Sequence, residues 1–177
     1  TEEIKEDEIA SPDKQWIAFT KDHNLFVKST ETKAVRQLST AGKKDYEYAS
    51  WYGWYDIMEG ENAERPKHFS ANWSEDSKWI SANIIDFRNA EKMYLLYHSI
   101  DTLYKSKLLS FYRGSQGDKT MVQVTPNFFN VEKKKEVKTK LPSGTHINSV
   151  AIEWMKKSGM FLAEYSERGY KNEVLKH

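Results

Sequence analysis

Apolar and polar residues alternate in short runs along the chain, and polar turns interrupt the runs every few residues. A period of two sets one face of a segment against a core, so these runs predict β-strands. NLFVKS from Asn24 and AVRQLS from Ala34 are rich in β-formers and are separated by the polar stretch TETK, which predicts a hairpin. KWISANIIDF from Lys78 and KMYLLYHSI from Lys92 predict two strands flanking RNAE, and TMVQVT from Thr120 and FFNVE from Phe128 predict two more. The run KKK at 133–135 reads as a solvated turn. SVAIEW, MFLAEYS and KNEVLK predict a last meander, whereas SIDTLYKSKLLSF from Ser99 keeps neither period and reads as strand plus loop.

Three segments repeat one design: IASPDKQWIAF from Ile9, NWSEDSKWISA from Asn72 and EWMKKSGMFLA from Glu153. Each ends a strand, makes a short polar turn and resumes with a bulky residue, Trp16, Trp79 or Met160. Their starts lie 63 and 81 residues apart, more than the roughly 40 to 50 of regular propeller repeats, so insertions must separate the cores. Repeated antiparallel units at irregular spacing favour an all-β fold, a partial β-propeller, over a sandwich. The expected blade cores lie near 9–50, 67–140 and 145–177, with an inserted acidic segment at 51–66.

Composition narrows the function classes. The 177 residues carry 27 Lys and Arg against 26 Asp and Glu, a balance too even to gather nucleic acid or an anionic membrane. With no cysteine, a disulfide scaffold, a cysteine-ligated zinc site and a thiol nucleophile are excluded. No apolar run approaches the roughly 20 residues of a membrane-spanning helix. His68, His98 and His146 lack metal-ligand spacing, and neither a metal nor a cofactor is expected. The acidic start TEEIKEDEIA and the end NEVLKH, which stops within an alternation, suggest a piece cut from a longer protein.

The stretch from Ser11 to Phe87 resembles a known family. The turn SPD, the strand NLFV, the exit QLSTAGKKD, an acidic insertion and then NWSEDSKWI follow one another as in the N-terminal β-propeller of dipeptidyl peptidase IV-like serine peptidases, of the prolyl oligopeptidase clan. The likeness is looser from Lys92 to Glu132, and from Thr145 it again looks like the start of a blade. It implies an eight-bladed parent, of which two to three four-stranded blades are present here, and a secreted or periplasmic location. It also implies a peptidase that releases dipeptides from free amino ends, with the triad on a separate α/β-hydrolase domain. None of the eight glycines begins a G-x-S-x-G elbow, so this chain is expected to be inactive alone, with that hydrolase domain as its partner in the same polypeptide.

In such peptidases a short segment reads aspartate, tryptophan, any residue, tyrosine and then glutamates, whose carboxylates hold the substrate's amino terminus. The matching stretch here is GWYDIMEGE. The resemblance makes Trp54, Tyr55, Glu59 and Glu61 the candidate substrate-binding residues, with the glutamates split by Gly60. Residues two apart share a side only on an extended or looped backbone, which Gly60 permits. An ammonium about 4 Å from a carboxylate gains on the order of 4 kcal/mol at an effective dielectric near 20, and an acylated amine almost none. As plain residues, Asp56, Glu59 and Glu61 read equally well as solvated loop acids, and Arg65, Lys67 and Arg88 as ion-pair partners of Glu61 or Glu64. The other class of function is a protein- or carbohydrate-binding module with Tyr52 and Trp54 as a stacking platform. RGSQGDK from Arg113 reads as a loop, and open blade edges invite pairing into a homodimer.

Overall fold

The computed structural model describes residues 5, 7–53, 58–59, 67–98, 106–112, 120–145, 148–156, 159–166 and 173–176, with 58–59, 173 and 175–176 described through the backbone. Among them every regular element is a strand: β1 (Glu8–Ala10), β2 (Trp16–Lys21), β3 (Asn24–Ser29), β4 (Val35–Gln37), β5 (Tyr46–Tyr48), β6 (Ser50–Trp51), β7 (Met58–Glu59), β8 (His68–Phe69) and β9 (Asn72–Trp73) in the first part. Then follow β10 (Trp79–Asp86), β11 (Met93–Tyr97), β12 (Lys107–Phe111), β13 (Gln123–Asn130), β14 (Lys135–Val137), β15 (Gly144–Thr145), β16 (Ala151–Trp154), β17 (Phe161–Ser166) and β18 (Glu173–Lys176). The all-β expectation holds.

The first sheet is an antiparallel meander in the order β1-β2-β3-β4. Its β2–β3 turn has two residues between the Lys21↔Asn24 pair, Asp22 and His23, both at positive φ (47° and 63°), as the twist of a two-residue hairpin requires. TETK closes the next hairpin, with Ser29 N–H donating to Ala34 O and Lys33 at φ 61°. The second sheet runs β14-β13-β10-β5, and β9 pairs with the same β10 strand. The third is β16-β17-β18, while β11-β12-β7 and β6-β8 form smaller ladders.

TMVQVT and FFNVE, expected as two strands, make one strand, β13, which runs through Pro126 and pairs with β10 from Gln123 to Asn130. Pro126 lacks an N–H to offer a ladder. It is tolerated because the far side of β13 is not paired there among the described residues: β15 covers Gln123 and Val124, and β14 covers Phe128 to Asn130. SKLLSF contains β12, and residues 99–105 lie outside the described ones. Lys133 and Lys134 form the exposed turn expected of KKK.

The core lies between sheets rather than within one. Ala18, Leu25, Val27 and Leu38 of the first sheet and its exit pack against Tyr48, Ile80, Ala82, Ile84 and Phe129 of the second. Between second and third sheets Phe128 stacks on Phe161 at 4.3 Å, with Trp154 edge-on to both. Burial of this kind is what a stacked-sheet unit relies on, because no sheet can cover its own two faces.

The repeated turns account for the spacing. Ser11 Oγ accepts the Trp16 N–H (3.0 Å) and donates to Asp13 (2.6 Å); Ser74 Oγ does the same for Trp79 (3.0 Å) and Asp76 (2.6 Å). In the third copy Met155 replaces the serine, and the backbone bond from Met155 N to Met160 O (3.0 Å) keeps the turn. The indole of Trp73 donates to Ile9 O (3.2 Å), and that of Trp154 to Asn72 O (3.1 Å). β9 is thus tied to β1, and β16 to β9, by the same indole-to-carbonyl bond.

Candidate functional site

The acidic segment interrupts a single sheet edge. Leaving the first sheet, the chain pairs β5 with Ile84, Ile85 and Asp86 of β10; after the excursion it returns to the same strand as β9, opposite Ile80 and Ser81. Both flanks of the acidic segment therefore lie on one edge of the second sheet, the edge where the Trp73 and Trp154 indoles tie β9 to β1 and β16 to β9. The base of the bulge is closed by β6 and β8, with Ser50 opposite Phe69 and Trp51 opposite His68. Farther out, Met58 and Glu59 are extended and pair with Phe111 and Ser110 of β12.

Of the four candidate residues, Glu59 is described by its backbone, which is extended; Trp54, Tyr55 and Glu61 lie outside the described residues, as do Asp56, Glu64 and Arg65. His146 and the loop at 113–119 also lie outside them. Tyr52, expected as a stacking platform, is buried (8% exposed), with its ring edge-on to Phe87 at 5.3 Å. A ring enclosed in this way cannot present a face to a sugar. Trp51 stays 53% exposed, beside the His68 ring at 5.7 Å.

Arg88 does not need a partner from the acidic segment. Its guanidinium binds the Asp86 carboxylate through Nε and Nη2 at 2.8 and 2.7 Å and lies over the Tyr46 ring at 4.3 Å. The hydrogen bonds from Arg88 hold the Asp86 carboxyl below its ordinary range, against the opposing effect of partial burial. The partner of Arg88 stands two residues away in the sequence, not in the acidic segment.

The residue that the sequence did not single out is Glu47. It stands in the middle of β5, 3% exposed, and takes a hydrogen bond from the Tyr52 phenol. His23 Nδ1 lies 3.8 Å away, buried and without a hydrogen-bond partner among the described residues. Tyr48, the next residue, is also buried; desolvation pushes its phenol pKa up, and the nearby Glu136 carboxylate adds to the rise.

A cleft of about 270 Å³ between the second and third sheets is lined by Asn72, Ser81, Asn83, Ser149 and neighbouring apolar residues. It is polar but uncharged, so it offers no counter-charge to an ammonium group. No group of three or more His, Asp or Glu suited to a metal ion occurs among the described residues.

A family model described as the dipeptidyl peptidase IV (DPP IV) N-terminal region matches residues 2–176. In shape the chain is similar to the crystal structure of Porphyromonas gingivalis dipeptidyl peptidase 4, with a TM-score of 0.69 and 18% identity over 95% of this chain and 23% of that one. It is also similar to a crystal structure from Bacteroides ovatus assigned as a dipeptidyl aminopeptidase IV, with a TM-score of 0.62 and 14% identity over 95% of this chain and 21% of that one. The chain thus spans less than a quarter of either protein. No curated protein sequence matches it. The shared shape makes the stacked sheets part of a β-propeller.

Proposed function

Because the chain belongs to the dipeptidyl peptidase IV N-terminal region family, we propose that it is the non-catalytic propeller portion of a serine exopeptidase that releases dipeptides. In this reading the propeller gates access and the acidic excursion recognises the free amino terminus of the peptide. Hydrolysis belongs to an α/β-hydrolase domain of the same polypeptide, in a secreted or periplasmic enzyme. Glu59 and Glu61 supply the counter-charge, and Trp54 and Tyr55 shape the wall beside it. The blades run near 9–50, 67–140 and 145–177, with the excursion at 51–66, and open blade edges offer a route to a homodimer.

The observation that carries the reading is the origin of the excursion: β5 and β9, which flank it, share one edge of β10, the edge where the Trp73 and Trp154 indoles tie β1, β9 and β16 together. Propeller blades surround a central channel, so an acidic loop rooted there meets what enters it. The extended backbone at Glu59 supports the reading further, because residues 59 and 61 can then share a side.

The test is kinetic. In the full-length enzyme, Glu59→Gln with Glu61→Gln is expected to raise KM and lower kcat/KM for a free-amine dipeptidyl anilide at least tenfold, a fraction of the roughly 4 kcal/mol available to an ammonium–carboxylate pair. Unchanged kinetics would remove the excursion from recognition.

A further inference from the structure

A buried carboxylate is costly unless donors surround it, and the proposed recognition chemistry makes no use of Glu47. Three parts of the molecule meet at this side chain. β5 carries it, with its backbone opposite Ile85 of β10. The β2–β3 turn brings His23, whose own carbonyl accepts the Tyr48 N–H at 3.0 Å. Tyr52, which donates its phenol O–H to Glu47 Oε2, is the residue after β6 and the last but one before the excursion leaves the described structure at Gly53.

The ring of Tyr52 belongs to a second apolar cluster with Ile85, Phe87, Tyr112, Val122 and Val124. Apolar packing holds the ring without direction, whereas the hydrogen bond from its phenol to the Glu47 carboxyl is directional. The Tyr52 side chain therefore has both an apolar seat and a polar stop, and the backbone at Gly53 inherits its direction from them.

We infer that Glu47 is a positioning residue, which acts through the Tyr52 phenol to aim the root of the acidic excursion. The inference rests on the proposed reading of the excursion as the grip for the substrate amine. Glu47 touches no substrate; it sets where the carboxylates seven and more residues beyond Tyr52 begin their path, and the β7–β12 and β6–β8 pairs then hold the middle and the base.

The experiment uses the full-length protein with Tyr52→Phe, which keeps the ring and removes the O–H, and Glu47→Gln, which keeps the shape and removes the charge. Amide exchange at residues 50–59 is expected to speed up about tenfold in Tyr52→Phe, the scale of one hydrogen bond, and by less in Glu47→Gln, whose amide oxygen still accepts. KM for a free-amine dipeptidyl anilide rises several-fold while kcat stays within about twofold, and the double variant is no worse than the worse single one, as for residues acting in one linkage. Unchanged exchange in both folded variants overturns the inference. So does a fall in kcat with faster exchange throughout the sheets, which marks a general loss of structure. A wild-type protein without free-amine dipeptidyl activity defeats the functional reading instead, and exchange at 50–59 then decides by itself whether Glu47 holds the excursion.

Discussion

At the scale of single residues, electrostatics and hydrogen bonds decide more than burial does. Asp86 and Arg88 form a bidentate pair on the rim of the second sheet, at 21% and 43% side-chain exposure, where solvent screens much of the attraction. The sign of its pH dependence is nevertheless fixed. Arg88 depresses the folded-state pKa of Asp86 below the ordinary 3.8, so the pair's contribution is complete above that value and disappears as the pH falls through the lower folded value. Asp86→Asn is expected to lower the melting temperature slightly at neutral pH, with the gap to wild type closing as the pH falls below about 3.8. A gap that persists in strong acid would mean that something other than the carboxylate charge was lost. This pair was hidden in the sequence because both members look like ordinary surface charges. Glu47 was hidden for the opposite reason: in DYEYAS the alternation sets it against the tyrosines, which reads as an outward acid. β5 is covered on both faces, however, and Glu47 and Tyr48 are both buried.

Among elements, strands of period two were legible almost throughout, since alternation of Leu25, Val27 and their neighbours has no other economical reading. The repeated turn was legible too, through the serine and aspartate of SPDKQW and SEDSKW, which satisfy the backbone in the same way in both copies. What pattern alone missed was the continuity of β13 through Pro126, which depends on where two other strands stop. The connection from β4 to β5 was equally silent. It passes over the β2–β3 turn so closely that Gly42 N–H donates to Asn24 Oδ1 at 2.9 Å. A Cβ at position 42 would stand 2.2 Å from the His23 carbonyl oxygen and 2.7 Å from Asn24 Oδ1. The His23 carbonyl is backbone and cannot yield as a flexible side chain would, so Gly42→Ala is expected to cost about 1–3 kcal/mol, the range of overpacked interiors. Urea unfolding of the full-length protein measures it, and a cost below about 0.5 kcal/mol would show that the loop shifts freely off the turn.

For the whole molecule, the question is what covers the apolar surface that the stacked sheets do not. The β11–β12 hairpin is the largest such surface described: Tyr94, Leu95, Leu96 and Tyr97 are each at least 50% exposed, and Leu108 on the partner strand is 63% exposed. In the order β11-β12-β7, β11 is the outer strand, with its far edge unpaired among the described residues. Protected edges carry Lys, Pro, a bulge or a cover. The stretch MYLLY has none of the first two, and its five rungs with β12 run without interruption from Met93↔Phe111 to Tyr97↔Lys107. An edge of this kind pairs with another edge, and the proposed homodimer finds here a more specific seat than the first and last sheets, whose faces a longer chain would cover. The 177-residue chain is expected to associate in sedimentation at high concentration. Leu96→Lys, which places a charge on the exposed hairpin without touching the stacked sheets, is expected to shift it toward monomer with little change in melting temperature. If wild type and variant sediment alike as monomers, the hairpin is not an association surface, and its apolar residues must be explained by something else that lies against them in the full-length protein.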